Sequence, residues 1–476
     1  MDPPRSHVLM VTVPAYGHLI PLLELAKKIS KHHNVTFVVS ESMLQEIRQR
    51  ELLTDVDFSV VGLADGYIEG PEVLARLIFL GTERHVLPAV QRLFQAIPVR
   101  GPPQIHIDDG THNIAHKITL AVDLVIADAL LAGSLAVLSE RKIPFYYFNS
   151  GASGMTMMAL GLSAETPTMR DEDLDIPGRD FPIFEMPSLG STPVPPPEVI
   201  KKLFLPMQQV LPLATGIIAN SVKESESMLL LILKARIAAK GKATFRTVGP
   251  LSPEQHAKTA QEQKVKTWLD GKQAKSVVYV AFGSIAFPTP EYAREILKAL
   301  NSLGKPFIWA LPERCRGTLP QDVLSQLDSD QMSSESLILD WAPQKLILQH
   351  ASTAVFVSHC GWNSCLESLA SGVPIVAWPM FAEQKMNVEQ LHGMGVACLL
   401  GVATGSGWKN VVPFDVIQKA VVSAAGFDAP SGAPISSYRT AAEKWKKTIE
   451  EALSPQGSSG LNFSELVGFK DITNPK

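Results

Sequence analysis

Apolar residues in this chain come in short unbroken runs. Between the runs, apolar positions recur at helical spacing. In the first half the runs are HVLMVTVP (7–14), NVTFVVS (34–40), DLVIADA (123–129), PFYYFNS (144–150) and GIIANS (216–221). The segment GHLIPLLELAKKISK (17–31) joins the first two and reads as an amphipathic helix. The rhythm restarts with SVVYVAFGS (276–284), PFIWALP (306–312), SLILDWAPQ (336–344), AVFVSH (354–359) and PIVAWP (374–379). Near-continuous β-branched runs joined by helices predict parallel strands covered on both faces. The fold expected is α/β, with two doubly wound Rossmann-like domains facing across a cleft. Ligands in such folds bind beyond the carboxyl ends of the strands.

The stretch VGPLSPEQHAKTAQEQ (248–263) is polar and without a strong period, as a linker would be. The expected divisions are a first domain over 1–250, a linker over 251–263 and a second domain over 264–455. The segment 456–476 is expected to pack back on the first domain. The Pro-rich MPSLGSTPVPPPEV (186–199) reads as a surface loop. With 476 residues and 46% hydrophobic content, the chain has material for two cores.

The net charge is −4, and no block of basic residues marks a nucleic-acid partner. Four cysteines (Cys315, Cys360, Cys365, Cys398) form neither a zinc-type pair of pairs nor a disulfide framework, so reduced thiols in the cytoplasm are expected. The opening MDPPRSHVLMVTVP is too short in its apolar run for a signal peptide. ITLAVDLVIADALLAGSLAVL (118–138) has the length of a membrane span, but Asp123 and Asp128 lie inside it. A strand followed by a helix fits it better, and no membrane span is expected.

The chemistry concentrates in VFVSHCGWNSCLESLASGVPIVAWPMFAEQ (355–384). A strand ending at His359 would lead through Gly361, which permits a tight turn, into a helix stopped by Gly372. The free N–H groups of that first turn form an anion site. Asn363 and Ser364 stand there to cap the helix or meet the anion, and His359 can donate to it. Glu367, one turn on, suits a pair of hydroxyl donors such as a ribose diol. Together these groups fit a nucleotide diphosphate, although the dinucleotide and P-loop fingerprints are absent. Taken singly, Ser or Asn is also an ordinary helix cap, and Glu367 an ordinary solvated charge.

His18 follows the first strand at the start of a helix, where the dipole disfavours imidazolium and leaves a neutral base. Asp128 ends a strand expected to run parallel to the first, and could orient that base. A histidine at a strand end is also compatible with a structural role. HIDDGTHNIAH (106–116) offers His106, Asp108, Asp109, His112 and His116, with His112 and His116 at metal-pair spacing. The stretch is polar and remote in sequence, so a solvated segment is the preferred reading. A cysteine nucleophile at Cys360 or Cys365 fits poorly, since both lie in an apolar turn.

Residues 341–384 resemble the plant secondary product glycosyltransferase box of UDP-dependent glycosyltransferases. WAPQ, HCGWNS, the Glu, GVP, WP and the final Gln all stand at the family's spacing. PAYGH, VGPL, WLD and SVVYVAFGS also resemble the family, with the weakest likeness over 40–110 and 160–210.

The resemblance implies the GT-B fold, with an acceptor-binding first domain and a UDP-sugar-binding second. It implies that Trp341 stacks on uracil, with Ala342 and Gln344 near the base and ribose. It places His359, Asn363 and Ser364 on the diphosphate and Glu367 on the ribose. Trp362, Glu383 and Gln384 would face the sugar, and Ser284 would approach the phosphates. Gln384 in the final position is associated with glucose donors. Cys365 departs from the family's common Thr.

The resemblance also assigns the His18–Asp128 dyad. The implied reaction is inverting glucosyl transfer from UDP-glucose to a small lipophilic acceptor such as a phenol, flavonoid or terpenoid. It requires no metal and no cofactor, and a monomer is expected. Tyr16, Phe148, Met155 and Met158 are apolar candidates for the acceptor pocket. The alternatives are another UDP-sugar donor on the same fold, or a UDP-sugar-binding protein without turnover.

Overall fold

The computed structural model describes residues 5–468 except 55, 65, 67–80, 100–117, 119, 155, 157–196, 254–258, 284–288, 318, 320, 322, 326–333, 381–382, 401–410 and 429–435. The described residues fall into two compact units. One takes the chain up to Ser252 and again from Ala452, and the other takes Pro253–Glu451.

The first unit carries β1 (His7–Val11), β2 (Asn34–Ser40), β3 (Ser59–Leu63), β4 (Leu124–Asp128), β5 (Phe145–Asn149), β6 (Gly216–Ala219) and β7 (Thr244–Thr247). They form one sheet in the order β3-β2-β1-β4-β5-β6-β7, every pair parallel. The second unit carries β8 (Val277–Ala281), β9 (Phe307–Ala310), β10 (Ser336–Leu339), β11 (Thr353–Ser358), β12 (Ile375–Ala377) and β13 (Ala397–Leu399). Its order is β10-β9-β8-β11-β12-β13, again all parallel. In each sheet the chain reverses direction of growth between two central strands, β1 and β4 in the first and β8 and β11 in the second. Those are the switch points where side chains at strand ends can converge on a ligand.

The unbroken apolar runs have a direct cause. Along β8, Val278 and Val280 pack into one core cluster, while Val277, Tyr279 and Ala281 pack into another on the opposite face. With both faces covered, no polar alternation survives. In the first unit the helix Tyr16–Ser30 lays Leu19, Leu22, Leu23 and Ile29 against Val8, Met10 and Phe37. Each fully buried side chain of this size stabilises by about 1.5–3 kcal/mol.

β3, β7 and β13 were not anticipated, and all three are edge strands. They are short, and β3 has only two of its five residues buried.

The stretch 251–263 is not wholly linker. Thr259 Oγ1 accepts from Glu262 N at 3.1 Å, and Glu262 Oε2 accepts from Thr259 N at 3.0 Å. This reciprocal cap opens the helix Ala260–Asp270 inside the polar stretch. The helix Ser458–Val467 returns to the first unit. There Ser459 Oγ donates to the Gly249 carbonyl at 2.8 Å, Asn462 Nδ2 donates to that of Thr247 at 2.9 Å, and Leu466 is fully buried.

Candidate functional site

In the first unit, three carboxyl-end positions beside the switch point meet at one imidazole. His18 is in the first turn of its helix, whose N-terminus has no side-chain cap and no acidic residue. Asp128 Oδ2 accepts from His18 Nδ1 at 2.8 Å, while Asp128 Oδ1 accepts from Leu130 N at 2.9 Å. Both carboxylate oxygens are therefore held. The Asp128 side chain is 0% exposed and that of His18 31%. The orienting group is shut away from solvent and the ring is within reach of a substrate. A proton kept on Nδ1 by the carboxylate makes Nε2 the basic nitrogen.

Ser150 Oγ lies 3.0 Å from the same Nδ1. The segment after β5 that carries Ser150 is itself braced. Asn149 Nδ2 donates to Thr156 Oγ1 at 2.8 Å, and Asn149 Oδ1 accepts from Gly151 N at 3.2 Å. The buried Glu226 accepts from Ser153 N and Ser153 Oγ, both at 2.8 Å, and from Ser221 Oγ. Burial pushes the Glu226 carboxyl up, and these donors act against that shift.

In the second unit, β11 gives way to the helix Trp362–Ser371 through His359, Cys360 and Gly361. Cys360 adopts φ +61°. Its carbonyl accepts from Asn387 Nδ2 at 2.9 Å and from the Cys365 thiol at 3.3 Å, which fixes the turn. A Cβ on either Gly283 or Gly361 would come within 2.6 Å of His359 Nε2. The imidazole thus fits between two backbones that only glycine allows so close. The helix start carries neither a side-chain cap nor an acidic first turn, so its dipole favours an anion placed there.

Behind that turn the polar groups form a chain. Tyr279 Oη donates to Gln344 Oε1 at 3.1 Å. Gln344 Nε2 donates to Ser364 Oγ at 3.0 Å and to Glu367 Oε2 at 2.8 Å. Glu367 is half-buried. Burial pushes its carboxyl up, opposed by Gln344 and by the charge of Lys345. An anion site with a carboxylate one turn further along its helix is an arrangement suited to a nucleoside diphosphate.

The sequence profile described as "UDP-glucoronosyl and UDP-glucosyl transferase" matches residues 246–411. UDP-glycosyltransferase 72B3 of Arabidopsis thaliana is 30% identical over 427 residues, 83% of each chain. This chain belongs to the UDP-glycosyltransferase family. Cinnamate beta-D-glucosyltransferase of Fragaria ananassa is 28% identical over 97% of this chain and 82% of its own. Medicago truncatula UGT71G1, solved with UDP-glucose, aligns over 99% of both chains with a TM-score of 0.69 at 24% identity, which shows the fold.

The protein is thus a plant-type UDP-glycosyltransferase with the GT-B fold. Several expected residues of this glycosyltransferase stand differently in the structure. Phe148 is fully buried, in the core cluster that also holds Met10, Ile126 and Tyr146. Tyr16 is half-buried, with Arg50 Cζ 5.0 Å from its ring centroid. The tight turn after β11 takes its positive φ at Cys360. Gly361 has φ −59°, so its contribution is the missing Cβ beside His359.

Trp362 and Gln384 are each 3% exposed, and Gln384 Oε1 accepts from Met380 N at 2.7 Å. Trp341, Ala342, Asn363 and Glu383 are partly exposed. Both amide hydrogens of Gln344 are engaged within the protein, so it braces Ser364 and Glu367. Ser284, Met155, Met158 and the cluster from His106 to His116 lie outside the described residues. Among the described residues, no three His, Cys, Asp or Glu side chains group as a metal site, and no helix is long and apolar enough to cross a membrane. Cys360 and Cys365 are fully buried, and burial pushes the Cys365 thiol well up, against a nucleophilic role.

Sequence reasoning missed Ser150, Glu226 and Tyr279. The only trace of Ser150 was its place at a strand end like that of Asp128. Tyr279 gave none, because it reads as one more apolar strand residue.

Burial lowers the His359 pKa from 6.5 to about 4, against the pull of the Ala281 carbonyl. The neutral ring can donate one hydrogen bond but brings no charge to an anion. The sign of the linkage follows, because the unfolded chain takes up the proton first. Stability is fully present above about pH 6.5 and is lost as pH falls through about 4, by at most about 3 kcal/mol. The stability difference between wild type and His359→Gln should therefore shrink with acidification, read from urea midpoints between about pH 7.5 and 4.5. Parallel curves would contradict a buried neutral ring.

Proposed function

We propose that this glycosyltransferase is an inverting, UDP-glucose-dependent glucosyltransferase of small lipophilic acceptors, with His18 as general base. The observation that carries the reading is the 2.8 Å contact of His18 Nδ1 with the fully buried, doubly held Asp128. In the reaction, Nε2 of His18 takes the acceptor hydroxyl proton as the oxygen attacks the anomeric carbon. The bond from that carbon to the diphosphate oxygen breaks, and UDP leaves with the electron pair. One displacement inverts the centre, so an α-linked donor gives a β-glycoside.

The helix start at Trp362 and the imidazole of His359 suit the departing diphosphate, and Glu367 suits the ribose hydroxyls. The scheme uses fixed dipoles for the leaving group and calls for no metal or cofactor. Gln384 supports glucose as the donor sugar by its resemblance to glucose-using relatives. The acceptor class is supported by the similar cinnamate enzyme and by an anthocyanidin 3-O-glucosyltransferase 2 of Fragaria ananassa, 32% identical over 55% of this chain. Unpaired thiols at Cys360, Cys365 and Cys398 agree with a cytoplasmic place. One chain carries both the base and the donor groups, so the working form is taken as a monomer.

The test is acceptor-dependent UDP release, with UDP-glucose and UDP-galactose, across phenolic, flavonoid and terpenoid acceptors. Glucose-selective release, with Gln384→His shifting use toward UDP-galactose, is expected. Release with neither donor, or equal use of both, would overturn the donor assignment.

A further inference from the structure

Tyr279 lies in the middle of β8 and is 1% exposed, beyond the reach of any substrate. Its ring stacks on Phe356 with centroids 4.8 Å apart and planes at 16°, which holds the hydroxyl in one place. That hydroxyl donates to Gln344 Oε1 at 3.1 Å. Burial and the nearby Glu367 charge keep the phenol well up in pKa, so it remains a donor.

A side-chain amide can be turned either way, and its neighbours decide which. A donor beneath Oε1 turns the amide hydrogens toward Ser364 Oγ and Glu367 Oε2, at 3.0 and 2.8 Å. The opposite orientation would set an amide oxygen against a carboxylate and leave the phenol hydrogen without its acceptor. Glu367 is thereby tethered by one oxygen.

We propose that Tyr279 is a positioning residue for nucleotide recognition, setting the Gln344 amide so that Glu367 is held ready for a vicinal diol. This rests on the reading of Glu367 as the ribose-binding carboxylate. Tyr279 acts at two removes and only on the hydroxyl-bearing part of the donor. Its loss should weaken donor affinity and leave turnover at saturating donor unchanged.

The experiment compares UDP with 2′,3′-dideoxy-UDP by titration calorimetry on wild type, Tyr279→Phe, Gln344→Met, the double variant and Glu367→Ala. Wild type should prefer UDP. Glu367→Ala should abolish that preference, and Tyr279→Phe should lower it by about 2- to 10-fold, the scale of one buried neutral hydrogen bond. Affinity for the dideoxy compound should not move, whereas a general packing defect would weaken both ligands. Adding Tyr279→Phe to Gln344→Met should change nothing further, since the effect passes through Gln344.

If Glu367→Ala loses the preference and Tyr279→Phe keeps it, the positioning role is overturned and the ribose reading stands. If Glu367→Ala keeps the preference, the ribose reading itself falls and the inference with it. Should Tyr279→Phe not fold, Gln344→Met carries the same comparison. An unchanged UDP preference in that variant overturns the inference.

Discussion

Replacing His18 by Ala is expected to lower turnover by about 10²–10⁴-fold, the usual worth of a positioned general base. UDP affinity should stay at the wild-type level, because no donor-binding group belongs to the first unit's dyad. Asp128→Asn tests the same device from the other side. An amide at Asp128 can donate to Nδ1, which would favour the tautomer with its proton on Nε2 and leave no base facing the acceptor.

The two losses should not add. Once the ring is gone there is nothing left for Asp128 to orient, so the double variant should resemble His18→Ala alone. Steady-state kinetics with calorimetric titration of UDP would read both arms. Near-normal turnover in His18→Ala, with UDP bound as in wild type, would remove the base from His18. Additive losses would separate Asp128 from it.

Phe148→Ala is expected to cost about 3–5 kcal/mol of stability, the range for deleting a buried aromatic ring from a packed core. The side chain is fully buried, in the cluster that also holds Met10, Leu19 and Ile126. Denaturant unfolding of the variant would show a large fall in midpoint, with the acceptor KM near normal in whatever folded protein remains. Were the ring a pocket wall, the pattern would reverse, with KM moving and the midpoint holding.

Much of the protein was legible in its sequence. The central strands announced themselves because parallel strands covered on both faces leave no room for polar residues, as along Val277–Ala281. The helix start after His359 was visible as a dense local pattern, since strand, turn and helix there are contiguous in sequence. His18 and Asp128 could be paired because parallel strands end at one edge, and their register sets β1 beside β4.

What remained hidden depended on contacts that local pattern does not encode. Ser150 reaches His18 across 132 positions, and Tyr279 reaches Gln344 across 65. In a strand apolar on both faces, no polar neighbour tells how deeply a residue such as Phe148 is buried. The edge strands β3, β7 and β13, each five residues or fewer, were hidden as well. The left-handed residue of the turn after β11 proved to be Cys360, while Gly361 was needed for its empty Cβ position beside His359. Glycine in a sequence signals either need alike, and only the placement of the His359 ring distinguishes them. Sequence alone pointed to the residue types and strand ends proposed for the site of this glycosyltransferase. Tertiary packing decided which of them touch, because hydrogen bonds and close approaches are properties of side chains brought together from distant parts of the chain.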